Sequence, residues 1–336
     1  MTDSLYENCS QCPRKCGCNR TAGKTGFCGE TDAVKIASAC LHFGEEPLVT
    51  VHGGSGTIFF TGCTLHCAFC QNYQIAHQGM GTKVSCKDFV KMCITLQNAG
   101  AENINLVTGS HCIPQLAEYL RAAREEGVTI PYCWNSSSYE NVEMLELLRG
   151  LVTVWLPDLK TLSPGLAEQL FKAKDYPEKA EEAIKWMIES SPLKIVNKTV
   201  NGVTKEKIES GVIIRHLFLP GRFAETADTL DWLKHHADGK ACISLMSQYT
   251  PVPFNGTQAE ITTHNKAISA IENRLVSKSE DGDLRDLIEA YDFDYLFYQE
   301  LSADTDWLPD FNRPQPFSNK LAKPFWHWKE GFIQQL

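Results

Sequence analysis

Nowhere does the sequence hold a run of about 18 apolar residues, so no segment is expected to span a membrane. Its first residues, Met-Thr-Asp-Ser-Leu-Tyr-Glu-Asn-Cys, are neither basic nor apolar, and no export signal is read there. Basic charge is scarce: 32 Lys and Arg stand against 41 Asp and Glu, a formal charge of −9, with no Lys/Arg block. That balance excludes a nonspecific nucleic-acid binder, whose affinity comes from cations neutralising phosphates. Low-complexity linkers and repeats longer than a strand–helix unit are missing too. Cysteine is abundant instead: fourteen residues in a chain of 336. Without an export signal they read as reduced thiols and metal ligands, not disulfides, and as a mark of the cytoplasm.

Three cysteines carry the most information. Gly62 to Asn72 read Gly-Cys-Thr-Leu-His-Cys-Ala-Phe-Cys-Gln-Asn, which places Cys63, Cys67 and Cys70 at C-x3-C-x2-C. Thiolates are the usual ligands of iron–sulfur clusters, which normally take four. The loop lacks a fourth. Three ligands leave one iron open to a substrate or cofactor. A structural zinc knuckle is the competing reading, but zinc sites show paired C-x2-C elements and four protein ligands. A noncatalytic electron carrier or metal-binding adaptor would also close its cluster with a fourth thiolate.

A second group lies N-terminal. Cys9, Cys12, Cys16 and Cys28 have the number and spacing of ligands for a second iron–sulfur cluster or a zinc ion, with Cys18 spare. The remaining cysteines, 40, 86, 93, 112, 133 and 242, stand singly in apolar or helical settings, where Cys behaves as a small buried hydrophobe. Cys112 and Cys133 fall near expected strand ends, which leaves them as minor catalytic candidates. No residue is singled out as catalytic with more force than that.

Six apolar runs read as strands: Gly56–Thr61, Asn103–Val107, Thr129–Trp134, Leu151–Pro157, Val212–Leu219 and Ala241–Gln248. Near-continuous apolar runs suit parallel strands covered on both faces. Helical patterns ending in Gly100, Gly127 and Gly150 separate the first four, the signature of βα units. These predict an α/β fold, an open partial (β/α)6 barrel, with residues 1–52 as a Cys-rich N-terminal segment, 53–250 as the core and 251–336 as a C-terminal extension. Asn201-Gly202, between Lys194–Val200 and Val203–Ile208, is a type I′ hairpin signal, read as an excursion over 194–208 that serves as an edge cover or a substrate lid. The extension carries helical patterns near His264–Val276 and Leu284–Ala290 and a strand-like Tyr295–Tyr298. Active sites of α/β barrels lie at the C-terminal ends of the strands, where the Cys63 loop falls. There the fourth strand ends in Asp158 and Lys160. Arg215 interrupts the apolar fifth strand, and a charge in that setting points at an anion. His216 beside it reads as a satisfied core residue.

The Cys63 loop, with Phe69 before its last cysteine, resembles the cluster motif of the radical S-adenosylmethionine (SAM) superfamily. Further segments resemble pyruvate formate-lyase activating enzyme-like proteins: Cys-Pro-Arg-Lys-Cys-Gly from Cys12, His42–Pro47, Gly54–Phe60, Asn103–Thr108, Pro157–Lys160 and Arg215–Gly221. The resemblance implies the radical SAM barrel. It implies a 4Fe-4S cluster on Cys63, Cys67 and Cys70 whose open iron chelates SAM, cleaved reductively to a 5′-deoxyadenosyl radical. It places Phe69 near the adenine and Thr108-Gly109 at the glycine-rich SAM motif. Lys160 then pairs either with the SAM carboxylate or with Asp158. Electrons would come from a reductant protein such as flavodoxin or ferredoxin, and hydrogen from a protein, peptide or small molecule. Activating enzymes act on a glycyl radical enzyme, but this chain departs from them twice. Their Gly-Gly-Glu stands here as Thr108-Gly109-Ser110, and the extra cysteines precede the barrel.

Overall fold

The six apolar runs become six neighbouring parallel strands. In the computed structural model, which describes residues 2–301 and 307–334, the chain begins with helix α1 (Thr2–Glu7), the cysteine-rich segment and strand β1 (Lys35–His42). There follow β2 (Ser55–Phe60), α2 (Tyr73–Ala76), β3 (Thr82–Lys83), α3 (Cys86–Asn98), β4 (Ile104–Val107), α4 (Ile113–Glu125) and β5 (Tyr132–Ser136). Next come α5 (Val142–Leu145), β6 (Val152–Pro157), α6 (Pro164–Phe171), α7 (Tyr176–Ser190), β7 (Lys194–Val200), β8 (Val203–Leu217), α8 (Phe223–His236) and β9 (Cys242–Met246). The remainder holds α9 (Gln258–Ile268), α10 (Lys278–Tyr291), β10 (Leu296–Gln299), β11 (Ala322–His327) and β12 (Gly331–Phe332).

Strands β2, β4, β5, β6, β8 and β9 lie side by side and parallel, in an open sheet ordered β10-β9-β8-β6-β5-β4-β2-β1-β11-β12. Sequence signals recur locally. Ser85 caps α3 by accepting the N–H of Asp88 at 3.2 Å, the bond expected of an N-cap serine. Helices α3 and α4 turn apolar faces (Phe89, Cys93 and Leu96; Leu116 and Leu120) into the layer behind the sheet. In the expected extension, residues 302–306 and 335–336 lie outside the described residues. Its described part does more than pack on the barrel: β10 adds a parallel strand beside β9, and β11 returns to pair antiparallel with β1. The pattern expected near His264–Val276 is displaced, because Thr257 and Glu260 form a capping box that starts α9 early and it stops at Ile268.

The hairpin is present, with Asn201 and Gly202 at φ 51° and 78°, the pair of positive values a type I′ turn requires. Its second arm runs without a break into β8, a single strand of 15 residues. A substrate lid it is not, for it lies at the N-terminal ends of the strands, away from the Cys63 loop. Lys205 Nζ donates to Val51 O at 2.9 Å, and Lys207 Nζ reaches the Glu102 carboxylate at 2.9 Å. Above this base Leu48, Val49 and Ile208 pack inside the barrel against Cys133, Val154, Ile213 and Cys242. Cys133 is therefore a core residue, as the second position of β5 dictates, and Cys112 lies fully buried behind the sheet. Neither reaches the mouth of the barrel.

Glu102 ties this base together. Its Oε1 accepts the N–H groups of Val51 at 3.1 Å, Gly53 at 2.7 Å and His52. Burial pushes the carboxyl up, but those N–H groups and Lys207 outweigh it and bring the pKa from 4.5 down to about 2. A depressed carboxylate stabilises the fold fully above its unfolded value and loses that effect as pH falls toward the folded one. Glu102→Gln is expected to cost on the order of 2 kcal/mol at neutral pH. Urea titration should show a lower midpoint at unchanged slope, and the gap to the parent chain should narrow as pH falls below 4.5 toward 2.

Candidate active site

The loop after β2 is held by donors from distant parts of the chain. Arg14 Nε donates to Thr64 O at 2.8 Å, and its Nη2 donates to Leu65 O at 3.3 Å and Phe171 O at 2.7 Å. Its guanidinium stacks 3.8 Å above the Phe27 ring, a cation–π contact that fixes its plane. His264 Nε2 donates to Ala68 O at 2.9 Å, and Leu65 N–H points at Cys63 Sγ at 3.3 Å. Cys63, Cys67 and Cys70 then line one wall of a cavity of about 330 Å3 at the C-terminal ends of the parallel strands.

The opposite wall carries charge. Asp158, just past β6, accepts Lys160 Nζ at 2.7 Å on one oxygen and Arg215 Nε at 2.8 Å on the other. Arg215 Nη2 also donates to Asn135 Oδ1 at 2.6 Å, and its Nη1 stands 3.9 Å from Glu45. Burial alone would raise the Asp158 carboxyl; Arg215 and then Lys160 more than offset it and hold it below its ordinary value. Burial likewise works against the Lys160 and Arg215 cations, and Asp158 raises both above their ordinary values. All three are ionised at neutral pH. The nearest anion that Arg215 meets in this structure is Asp158, which is also the partner of Lys160, with Glu45 farther off.

Phe69 lines the cavity, its ring 6.0 Å from Phe171 and 6.3 Å from Tyr249. Thr108 lines it too, with φ 65° in the left-handed region. Gly109 has a different neighbourhood: a β-carbon there would stand 2.7 Å from Leu116 and 2.9 Å from Trp134, so the missing side chain serves packing behind the sheet. Ser110 is tied to Glu140 at 2.7 Å, and Trp134 Nε1 and Ser136 Oγ donate to the same carboxylate at 2.8 and 3.0 Å. His216 is a satisfied core residue, Nδ1 donating to Leu159 O at 2.6 Å and Nε2 meeting the Thr226 hydroxyl at 2.9 Å. Burial lowers its pKa to about 4, so it stays neutral.

Sequence reasoning missed Glu45, Glu46, Asn135 and Tyr249, all of which face the cavity. The first two sit in the turn after β1, a strand that no apolar run announced. Glu46 is 2% exposed, and its Oε2 has no hydrogen-bond partner. Trp307, Leu308 and Phe317 of the extension complete the rim.

The donor set suits an iron–sulfur cluster with an organic ligand beside it. Three thiols share a wall, and the cavity leaves room next to them. Burial raises the Cys67 thiol and lifts Cys70 to about 12, so both stay protonated unless a metal takes the proton's place. Residues 57–233 match the Radical SAM superfamily. The chain belongs to that superfamily, whose members use a 4Fe-4S cluster and SAM. Among its relatives is the uncharacterized protein MJ0674 of Methanocaldococcus jannaschii, 29% identical over 75% of this chain and 68% of that one. Solved structures that it resembles include Streptococcus suis SuiB bound to its precursor peptide SuiA, at 13% identity and TM-score 0.47, covering 72% of this chain. This chain spans about half of SuiB, 47% of its length. A radical SAM methyltransferase from Sphaerobacter thermophilus is also 13% identical, with TM-score 0.47 over 75% of this chain and 68% of that one. Among the described residues no helix is long and apolar enough to cross a membrane.

Proposed function

We propose that Cys63, Cys67 and Cys70 hold the 4Fe-4S cluster, that SAM occupies the adjoining cavity, and that the chain abstracts hydrogen from a peptide or small-molecule substrate. The observation that carries this reading is the single cavity shared at the strand ends by three thiols, the carboxylates of Asp158, Glu45 and Glu46, and two cations. When bound, the cluster and SAM supply a 5′-deoxyadenosyl radical able to remove a hydrogen atom from carbon. Lys160 offers an ammonium whose two further protons are free to meet a carboxylate. Phe69 gives an apolar face for an adenine, and Thr108 brings backbone close to the amino acid end. The aromatic rim of the extension keeps water from the reacting atoms. The electron comes from a low-potential reductant protein such as a flavodoxin or ferredoxin. A noncatalytic electron carrier would need no organic-sized space beside its thiols, and about 330 Å3 is present here. Activation of a glycyl radical enzyme is a narrower form of the same abstraction.

The test is direct. The chain, loaded with iron and sulfide without oxygen and reduced with dithionite, is expected to convert SAM to 5′-deoxyadenosine. An intact reduced cluster that yields none overturns the reading. Deuterium passed from a labelled candidate into the nucleoside then identifies the substrate.

A further inference from the structure

The N-terminal segment brings five more thiols against the back of the Cys63 loop. Cys9, Cys12 and Cys28 are buried, Cys18 is partly buried and Cys16 reaches solvent. Tight turns double the segment back, with Lys15 N–H on Cys12 O at 3.0 Å, Gly17 N–H on Cys9 O at 2.9 Å and Cys9 N–H on Cys18 O at 3.1 Å. Gly26 lies among the sulfurs. A β-carbon there would stand 2.9 Å from Cys16 Sγ, 3.4 Å from Cys18 Sγ and 3.6 Å from Cys28 Sγ, so only glycine leaves them room.

Arg20 is a second, independent pointer. It is fully buried, 4.4 Å over the Tyr6 ring, with Nε donating to Thr31 O at 3.0 Å and Nη1 to His111 O at 2.7 Å. Those carbonyls satisfy its protons but not its charge, and a buried charge is costly unless an anion stands near it. Its Nη1 also points at Cys9 Sγ at 3.8 Å, so this buried cation is aimed at one of the thiols, with the Glu30 carboxylate near it as a second counter-charge.

Iron–sulfur clusters are held by about four cysteine thiolates, and Cys9, Cys12, Cys16 and Cys28 supply that number in one segment. The two sites are back to back, for Cys63 N–H donates to Cys28 O at 3.3 Å.

We propose that Cys9, Cys12, Cys16 and Cys28 hold a second iron–sulfur cluster, with Cys18 as a spare thiol beside Cys16 and Arg20 as the buried counter-charge. The proposal stands apart from SAM chemistry, and its test removes the SAM site. A chain carrying Cys63→Ala, Cys67→Ala and Cys70→Ala, purified without oxygen, is expected to retain about four iron and about four acid-labile sulfide. Adding Cys12→Ala and Cys28→Ala is expected to bring that iron to background, whereas adding Cys18→Ala leaves it in place. Should the triple variant fail to fold, Mössbauer spectroscopy of the unaltered chain loaded with iron-57 is expected to resolve twice the iron of its Cys12→Ala variant. One zinc per chain at this site, no metal, or iron indifferent to Cys12 and Cys28 overturns the proposal.

Discussion

Alanine at Cys63, Cys67 or Cys70 is expected to abolish formation of 5′-deoxyadenosine, each substitution alone being as damaging as any two together. The expectation follows from ligand count. Three protein thiols already leave one iron uncovered, and two are too few to keep a cluster. Neighbouring buried thiols do not compensate, because without the metal burial holds Cys70 near 12 and raises Cys67, so they revert to neutral thiols. The loss should exceed the roughly 10–100-fold that removal of an outer-shell partner costs at a metal site. Activity and metal are read together: deoxyadenosine by chromatography, and iron per chain before and after substitution. Cleavage at the parental rate by the Cys70→Ala variant would contradict the assignment of all three thiols, since their roles are equivalent in it.

Arg14→Met distinguishes the ligands from their support. It leaves every thiol in place but removes the donors to Thr64 O, Leu65 O and Phe171 O. A chain that still binds iron yet loses it faster to a chelator is the expected result, because the loop carbonyls are then left to water.

Much of this arrangement could be read before any coordinates. Parallel strands buried on both faces announce themselves as apolar runs, and a three-cysteine loop at the end of the first one points to the cavity that those cysteines line. The Asn201-Gly202 turn was equally plain, because only a type I′ geometry asks for two successive positive φ values. What stayed hidden depends on distant parts of the chain. Lys194–Ile208 forms a hairpin whichever end of the barrel it covers, and the lysine contacts to Val51 and Glu102 that place it at the base leave no local pattern. β1 escaped because Ser38, Cys40 and His42 break its apolar character, and its pairing with β2 and β11 supplies what its composition does not. Glu45 and Glu46 were lost with it. Gly109 was placed at a glycine-rich cofactor motif, and the packing demand it also meets, room for Leu116 and Trp134, leaves no mark in the spacing.

Asp158→Asn is expected to destabilise the chain and to tighten SAM binding at the same time. In the parent, one carboxylate lies between two cations, at 2.7 Å from Lys160 Nζ and 2.7 Å from Arg215 Nη2. Asparagine keeps the shape and one acceptor oxygen, but it removes the charge and turns an amide N–H toward a cation. Breaking a buried pair by removing one partner costs roughly 3–5 kcal/mol. The side chains here keep 14% to 22% exposure to the cavity, so water recovers part of that and the expected cost is about 2–3 kcal/mol. Because the folded pKa of Asp158 is depressed, its contribution is complete above the unfolded carboxylate range and is lost as pH falls through the folded value. A urea midpoint that falls at pH 7, by less as the buffer is acidified, is the stability readout. Binding moves the other way: with Asp158 neutral, Lys160 faces the cavity without its carboxylate and Arg215 keeps the more distant Glu45, so the carboxylate of SAM becomes the anion that Lys160 lacks. Equilibrium dialysis with labelled SAM on the cluster-loaded, unreduced protein should show a lower Kd for Asp158→Asn and a higher one for Lys160→Met. Equal weakening in both variants would mean that Asp158 and Lys160 serve SAM only by holding the strand ends in place, and that the SAM carboxylate is met by another residue.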